Sequence, residues 1–214
     1  MATIAPCITV ETAEAFKAQV ERLMPFAARV HIDVSDGEFA PNFLLAEGAL
    51  YWPPEWHVDI HAMVKRPSEH LPQLFKLKPS LIVVHAEIEE DLIATITSIK
   101  EQGIRAGVAL LRSTVPSTVS DAIKAADHVM IFSGTLGTYG GTASMVQVEK
   151  ARLVRAINPN VEIGWDGGAN VDNVYTLSRG GISVINVGGA IANADDPQAM
   201  YVRLTQETNK QGVL

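Results

Sequence analysis

Eight short runs of β-branched and apolar residues recur along the chain, with helical patterns filling the intervals between them. The runs are TIAPCI (3–8), RVHIDV (29–34), HVDIHAMV (57–64), SLIVVHA (80–86), IRAGVALL (104–111), HVMIFS (128–133), VEIGWD (161–166) and SVINVG (183–188). Short apolar runs bounded by turn residues predict strands buried on both faces. The intervening periodicity predicts helices over 12–24, 67–77, 89–102, 115–125, 144–157 and 170–179, and a closing helix over 195–207. Thr114-Val115-Pro116 and Asn170-Val171-Asp172-Asn173 read as helix starts, and Gly103 as the residue just past a helix end. Eight units in 214 residues leave about 27 residues each, near the minimum for a strand and its crossover helix. The pattern predicts parallel pairing and an α/β fold, most simply a single (β/α)8 TIM barrel over residues 1–214. An open doubly wound sheet is the alternative, but no G-x-G-x-x-G follows the first run.

Charge narrows the partners. With 24 acidic against 17 basic residues the net charge is −7, which argues against a nucleic-acid or anionic-membrane surface. An anionic ligand therefore has to be held by local donors such as backbone N–H groups. The single cysteine, Cys7, excludes an internal disulfide and an all-thiolate metal site. No basic segment precedes an apolar stretch at the N-terminus, and no run approaches the roughly 18–20 apolar residues of a membrane span. The expectation is a soluble, cytoplasmic protein.

Chemistry in such a barrel belongs at the carboxyl ends of the strands, and the unusual residues fall there. His31 and Asp33 are two apart on one strand and share a face. The third run ends in DIHAMV and the seventh in GWDGG, which adds His61 and Asp166. Two imidazoles and two carboxylates suit one divalent ion such as Zn²⁺, Fe²⁺, Co²⁺ or Mn²⁺ better than Mg²⁺ or Ca²⁺, which prefer all-oxygen sites. Glycine pairs in GTYGGT (137–142), DGG (166–168) and VGGAI (187–191) let backbone N–H groups converge on a phosphate. The candidates are Gly140, Gly141, Gly167, Gly168, Gly188 and Gly189. Metal, carboxylates and phosphate cradle together point to proton abstraction beside the carbonyl of a sugar phosphate.

At this point the chain resembles the ribulose-phosphate 3-epimerase family over nearly its whole length. IAPCI is similar to that family's opening strand, and HIDVSDGEFAPN to its His-x-Asp-x-x-Asp-Gly-x-Phe-x-Pro-Asn signature. DIHAMV, VVHAE, DGGAN and VGGAI follow in the family's order. The resemblance implies a (β/α)8 barrel with the metal held by His31, Asp33, His61 and Asp166. It implies that Asp33 removes the C3 proton while Asp166 returns one to the opposite face of an enediolate. It also implies substrate contacts at Cys7, His61 and Met63, and association into homo-oligomers.

The chain departs from the family pattern at Cys7 and Ser35, where serine and methionine are usual, and in LLRSTVP and SGTLGTYGGT (133–142). Ser35 is expected to make the site wetter, and Arg112 is expected in a solvated loop. These changes leave open which ketose phosphate is used, ribulose 5-phosphate or a ketohexose 6-phosphate. A Schiff-base aldolase using Lys65 and a non-catalytic sugar-phosphate-binding barrel are the rival readings. His85 and Glu87 are expected near the mouth in a supporting role, and Trp165 in the layer under the helices. The segment YWPPEWHV (51–58) reads as an interface or as packing beneath a helix.

Overall fold

Each predicted run forms a strand, with boundaries that agree to within one residue. They are β1 (Thr3–Ile8), β2 (Arg29–Ser35), β3 (His57–Met63), β4 (Leu81–His85), β5 (Arg105–Leu110), β6 (His128–Phe132), β7 (Glu162–Asp166) and β8 (Val184–Val187). In the computed structural model, which describes residues 2–138 and 141–210, all eight pair in parallel and β8 closes onto β1. The fold is a single (β/α)8 TIM barrel.

Among the described residues eight α-helices follow the strands: α1 (Ala13–Leu23), α2 (Pro67–Leu77), α3 (Leu92–Glu101), α4 (Ser120–Ala125), α5 (Glu149–Ile157), α6 (Val174–Arg179), α7 (Gly189–Ala192) and α8 (Pro197–Asn209). Side-chain oxygens of Thr12, Asp91 and Asp196 accept from the backbone N–H three residues on, which fixes where α1, α3 and α8 begin. The segment over 170–179 starts its helix later than its polar residues suggest. Asn170 accepts from the Asp172 N–H and Asn173 from the Asn170 N–H, while both asparagine amides donate to Gly168 O. These side chains knit a turn after β7 instead of opening a helix. The short α7 has no counterpart among the predicted helices, because its four residues were legible only as a glycine turn.

Strand alternation sorts the core into two regions. Val30, Ile32, Val34 and Trp165 point outward and pack with Phe16, Leu74 and other helix residues in the main core. The inward residues of β4–β6, namely Leu81, Val83, Ala109, Met130 and Phe132, form a separate apolar cluster inside the barrel. The Trp side chains of YWPPEWHV turn inward as well: Trp56 is buried and Trp52 packs on the main core, while Tyr51 meets Phe16 edge-on.

At the amino ends of the strands the barrel is closed by charge. Arg29 donates to both Glu162 oxygens at 2.9 Å and to Asp59 at 2.7 Å, while Arg105 and His128 also reach Glu162. A Cβ on Gly164 would lie 2.4 Å from His128 Nε2, so only glycine leaves room for that ring. Burial would push the Glu162 carboxyl up, but its hydrogen bonds to His128 and Arg29 outweigh this and hold it well below the usual range. Glu162→Gln should cost about 3 kcal/mol, because Arg29 loses a bidentate partner. For this length that is about 6–12 °C in Tm. The Glu162 contribution is complete above its ordinary value of 4.5 and fades as pH falls toward the depressed native value. Thermal melts against pH should therefore show a flatter acid limb in the variant; equal limbs would refute this role.

Candidate active site

The barrel register brings the predicted residues together. Asp33 lies beside His61, Cys7 beside His31, and Asp166 beside Asn186. One ligand atom from each of His31, Asp33, His61 and Asp166 falls within 4.8 Å of the others. Asp33 Oδ1 is 3.2 Å from His31 Nε2 and 2.9 Å from His61 Nδ1. Asp166 Oδ2 is 3.9 Å and 3.7 Å from the same two nitrogens. Ligand bonds of about 2.0–2.1 Å in a tetrahedron give edges of about 3.3–3.4 Å. The observed separations straddle that value, and the nitrogen and carboxylate donors fit a borderline first-row ion.

The environment differentiates the two carboxylates. Burial alone would raise Asp33, but hydrogen bonds from His31 and His61 hold it well below the ordinary carboxylate range. Burial raises Asp166, and the charge on Asp33 adds to the rise, against the pull of His31. The imidazoles also split. Burial lowers His61, to about 4, whereas for His31 burial is outweighed by the hydrogen bond to Asp33 together with the charges of Asp33, Asp166 and Asp59, which raise it. Burial, reinforced by Asp166 and Asp33, pushes the Cys7 thiol well up, so it stays protonated and is no nucleophile.

Supporting contacts orient these groups. His61 presents Nδ1 to the carboxylates, and its Nε2 lies 2.8 Å from Nε2 of the fully buried His85. His85 Nδ1 in turn lies 3.4 Å from Glu87, which accepts from the Leu111 N–H and the Thr114 hydroxyl. Such outer partners fix which face of a ligating imidazole is turned to the ion. The third acid of the HIDVSDG stretch, Asp36, is structural: it accepts from the N–H groups of Glu38, Phe39 and Lys65, which ties the loop after β2 to the end of β3.

A cavity of about 290 Å³ opens above this cluster, lined by Asp33 and Asp166 together with Cys7, Met63, Gly141, Gly167, Gly168, Gly188 and Gly189. Gly140 lies outside the described residues. His31 and His61 sit behind the lining, against the carboxylates. Gly167 and Gly168 have φ of 108° and 70°, and Cβ atoms there would lie 2.0 Å from Gly134 N and 2.2 Å from Ala143 N. The loops after β6 and β7 can meet this closely only through glycine. Trp165 Nε1 donates to Gly167 O at 2.9 Å and steadies the same turn.

Two departures behave differently from expectation. Ser35 is buried, does not line the cavity, and accepts from the Gly37 N–H at 3.4 Å, so its hydroxyl serves the loop instead of wetting the site. Arg112 is exposed, yet its guanidinium donates to Ser133 O and Thr142 O and pins the loop after β6. Among the cavity residues that escaped sequence reasoning, two touch or flank the carboxylates. Thr9 donates to Asp33 Oδ2 at 2.5 Å, and Asn186 is buried beside Asp166. Alternation was the available signal, since Thr9 continues the face of Cys7, and Asn186 that of Gly188.

Comparison with known proteins gives the family. Residues 3–192 match the ribulose-phosphate 3 epimerase family. The ribulose-phosphate 3-epimerase of Aquifex aeolicus is 30% identical over 182 residues, covering 82% of each chain. That of Schizosaccharomyces pombe is 25% identical over 216 residues, covering 98% of this chain and 95% of the relative. Among solved structures, a 3-hexulose-6-phosphate synthase superposes with a TM-score of 0.73 at 16% identity, covering 96% of this chain and 99% of that one, which speaks to the fold alone. The chain belongs to the ribulose-phosphate 3-epimerase family and is an isomerase, an epimerase acting on carbohydrates.

Proposed function

We propose that this epimerase inverts C3 of a ketose phosphate, with D-ribulose 5-phosphate and D-xylulose 5-phosphate as the default pair. The observation that carries the reading is the placement of two unlike carboxylates, Asp33 and Asp166, on β2 and β7 at one cavity. Epimerisation needs one group to take a proton and another to return one from the opposite side. Asp33, held ionised, takes the C3 proton; Asp166, which burial biases toward the protonated form, donates on the other face. The reverse reaction exchanges the roles.

His31, Asp33, His61 and Asp166 would hold one divalent ion, of zinc, iron, cobalt or manganese. When bound, it would supply positive charge near the oxygens of the enediolate. The phosphate would lie on backbone N–H groups of Gly167, Gly168, Gly188 and Gly189, which suits a chain whose net charge repels anions. Cys7 and Met63 line the same cavity as substrate contacts. A Schiff-base role for Lys65 is disfavoured, because its ammonium pairs with Glu89 at 3.0 Å and does not line the cavity. We also read residues 1–214 as one domain acting in the cytoplasm as a homo-oligomer. Among the described residues no helix is long and apolar enough to cross a membrane.

The test is C3–H exchange in D₂O, followed by NMR, with the metal-supplied protein and a panel of ketose phosphates that includes pentulose 5-phosphates and hexulose 6-phosphates. Exchange with inversion on one or more is the expected result, and the fastest identifies the substrate. Binding without exchange on every member would sink the reading.

A further inference from the structure

Asn186 takes no part in the reaction as derived above, yet it lies in the wall of the cavity. It is 4% exposed and stands beside Asp166 across the β7–β8 ladder. Its Oδ1 has no hydrogen-bond partner, and its Nδ2 is 3.4 Å from the Met130 thioether. A thioether is a weak acceptor, so this buried amide in the cavity wall has its acceptor unanswered and its donor poorly answered. An unsatisfied acceptor of this kind is costly to bury. A ligand that both donates and accepts, such as a hydroxyl, satisfies it.

Position selects which hydroxyl. Asp166 flanks Asn186 on one side, and Gly188 lies two residues further along the same inward face. Given the proposed epimerase reading, on which this step rests, Asp166 addresses C3 and the glycines after β8 receive the phosphate. Asn186 therefore stands between those two points. In a 2-ketose 5-phosphate the only carbon there bearing a hydroxyl is C4. We infer that Asn186 is a specificity-determining residue whose amide hydrogen-bonds the C4 hydroxyl and so selects substrates that carry one.

A substrate-by-variant cycle tests this. D-Ribulose 5-phosphate and its 4-deoxy analogue are compared by the rate of C3–H exchange at subsaturating substrate, which reads kcat/KM. The wild type should favour the hydroxylated compound by roughly 10–100-fold, because the analogue leaves the amide unpaired. Asn186→Val should bring that preference to within about threefold, by slowing the hydroxylated substrate and leaving the analogue unaffected. A purely structural role would slow both compounds alike and keep the ratio, which would overturn the inference. Should the valine variant not fold, Asn186→Ala carries the same comparison, and a wild type that does not discriminate overturns the inference without any variant. Exchange with no ketose phosphate at all removes the epimerase reading and this inference with it. Exchange with an unchanged ratio removes this inference alone.

Discussion

Asp166→Asn should lose net epimerisation by on the order of 10³-fold or more while still exchanging the C3 proton of one epimer with solvent. The reason is the division of labour between two fixed carboxylates. Asp33 remains on β2, buried and held ionised by His31 and His61, and still removes a proton from the face it reaches. Without the second carboxyl nothing delivers a proton to the opposite face, so deuterium enters without inversion. Asp33→Asn should give the complementary result, with exchange confined to the other epimer. Starting each variant from each pure epimer in D₂O and following both C3–H loss and product formation distinguishes these cases. Inversion at close to the native rate in either variant would refute the two-base assignment.

Removal of the ion is the second large expected effect. A chelator should reduce turnover by at least about 10²-fold, since no lysine or arginine among the described residues lines the cavity to offset charge developing on the enediolate. Zn²⁺, Fe²⁺, Co²⁺ or Mn²⁺ should restore it, and Mg²⁺ or Ca²⁺ should not, because two of the four donors are imidazole nitrogens. The effect also has a readout that needs no substrate. An ion that binds only the folded state, at about 100 times its Kd, adds about 2.7 kcal/mol of stability. In a chain of this size that is roughly 5–11 °C in Tm. His61→Ala should abolish the increment. Identical melting of the native protein with and without the ion would show that these four side chains hold none.

Much of this was readable from residues alone, and the readable part has a common cause. Strand alternation has a period of two, so His31 and Asp33 share a face wherever β2 sits, and Val30, Ile32 and Val34 take the other. Gly103 was readable as a helix end because its φ of 72° is one that other residues seldom adopt. The readings that shifted were those in which a side chain chooses between nearby backbone groups. Asn170 and Asn173 have the chemistry of helix caps, but Gly168 O and the N–H groups of Asp172 and Asn170 were closer. Arg112 had no partner in sequence because its acceptors, Ser133 O and Thr142 O, lie more than twenty residues away.

The order of strands, the faces of each and the four candidate ligands follow from the sequence by itself, because they depend on periodicity and on which residue ends a strand. Only the closed barrel decided what stands next to what. Pairing of β7 with β8 sets Asn186 beside Asp166, pairing of β1 with β2 brings Thr9 to Asp33, and closure of β8 onto β1 gathers both pairs at one cavity. The register also sets His61 against His85 and lets Gly167 and Gly168 come within contact of the loop after β6. Such neighbours are separated by tens of residues along the chain. No local pattern encodes their distance, which is fixed by the stagger of eight strands around a ring.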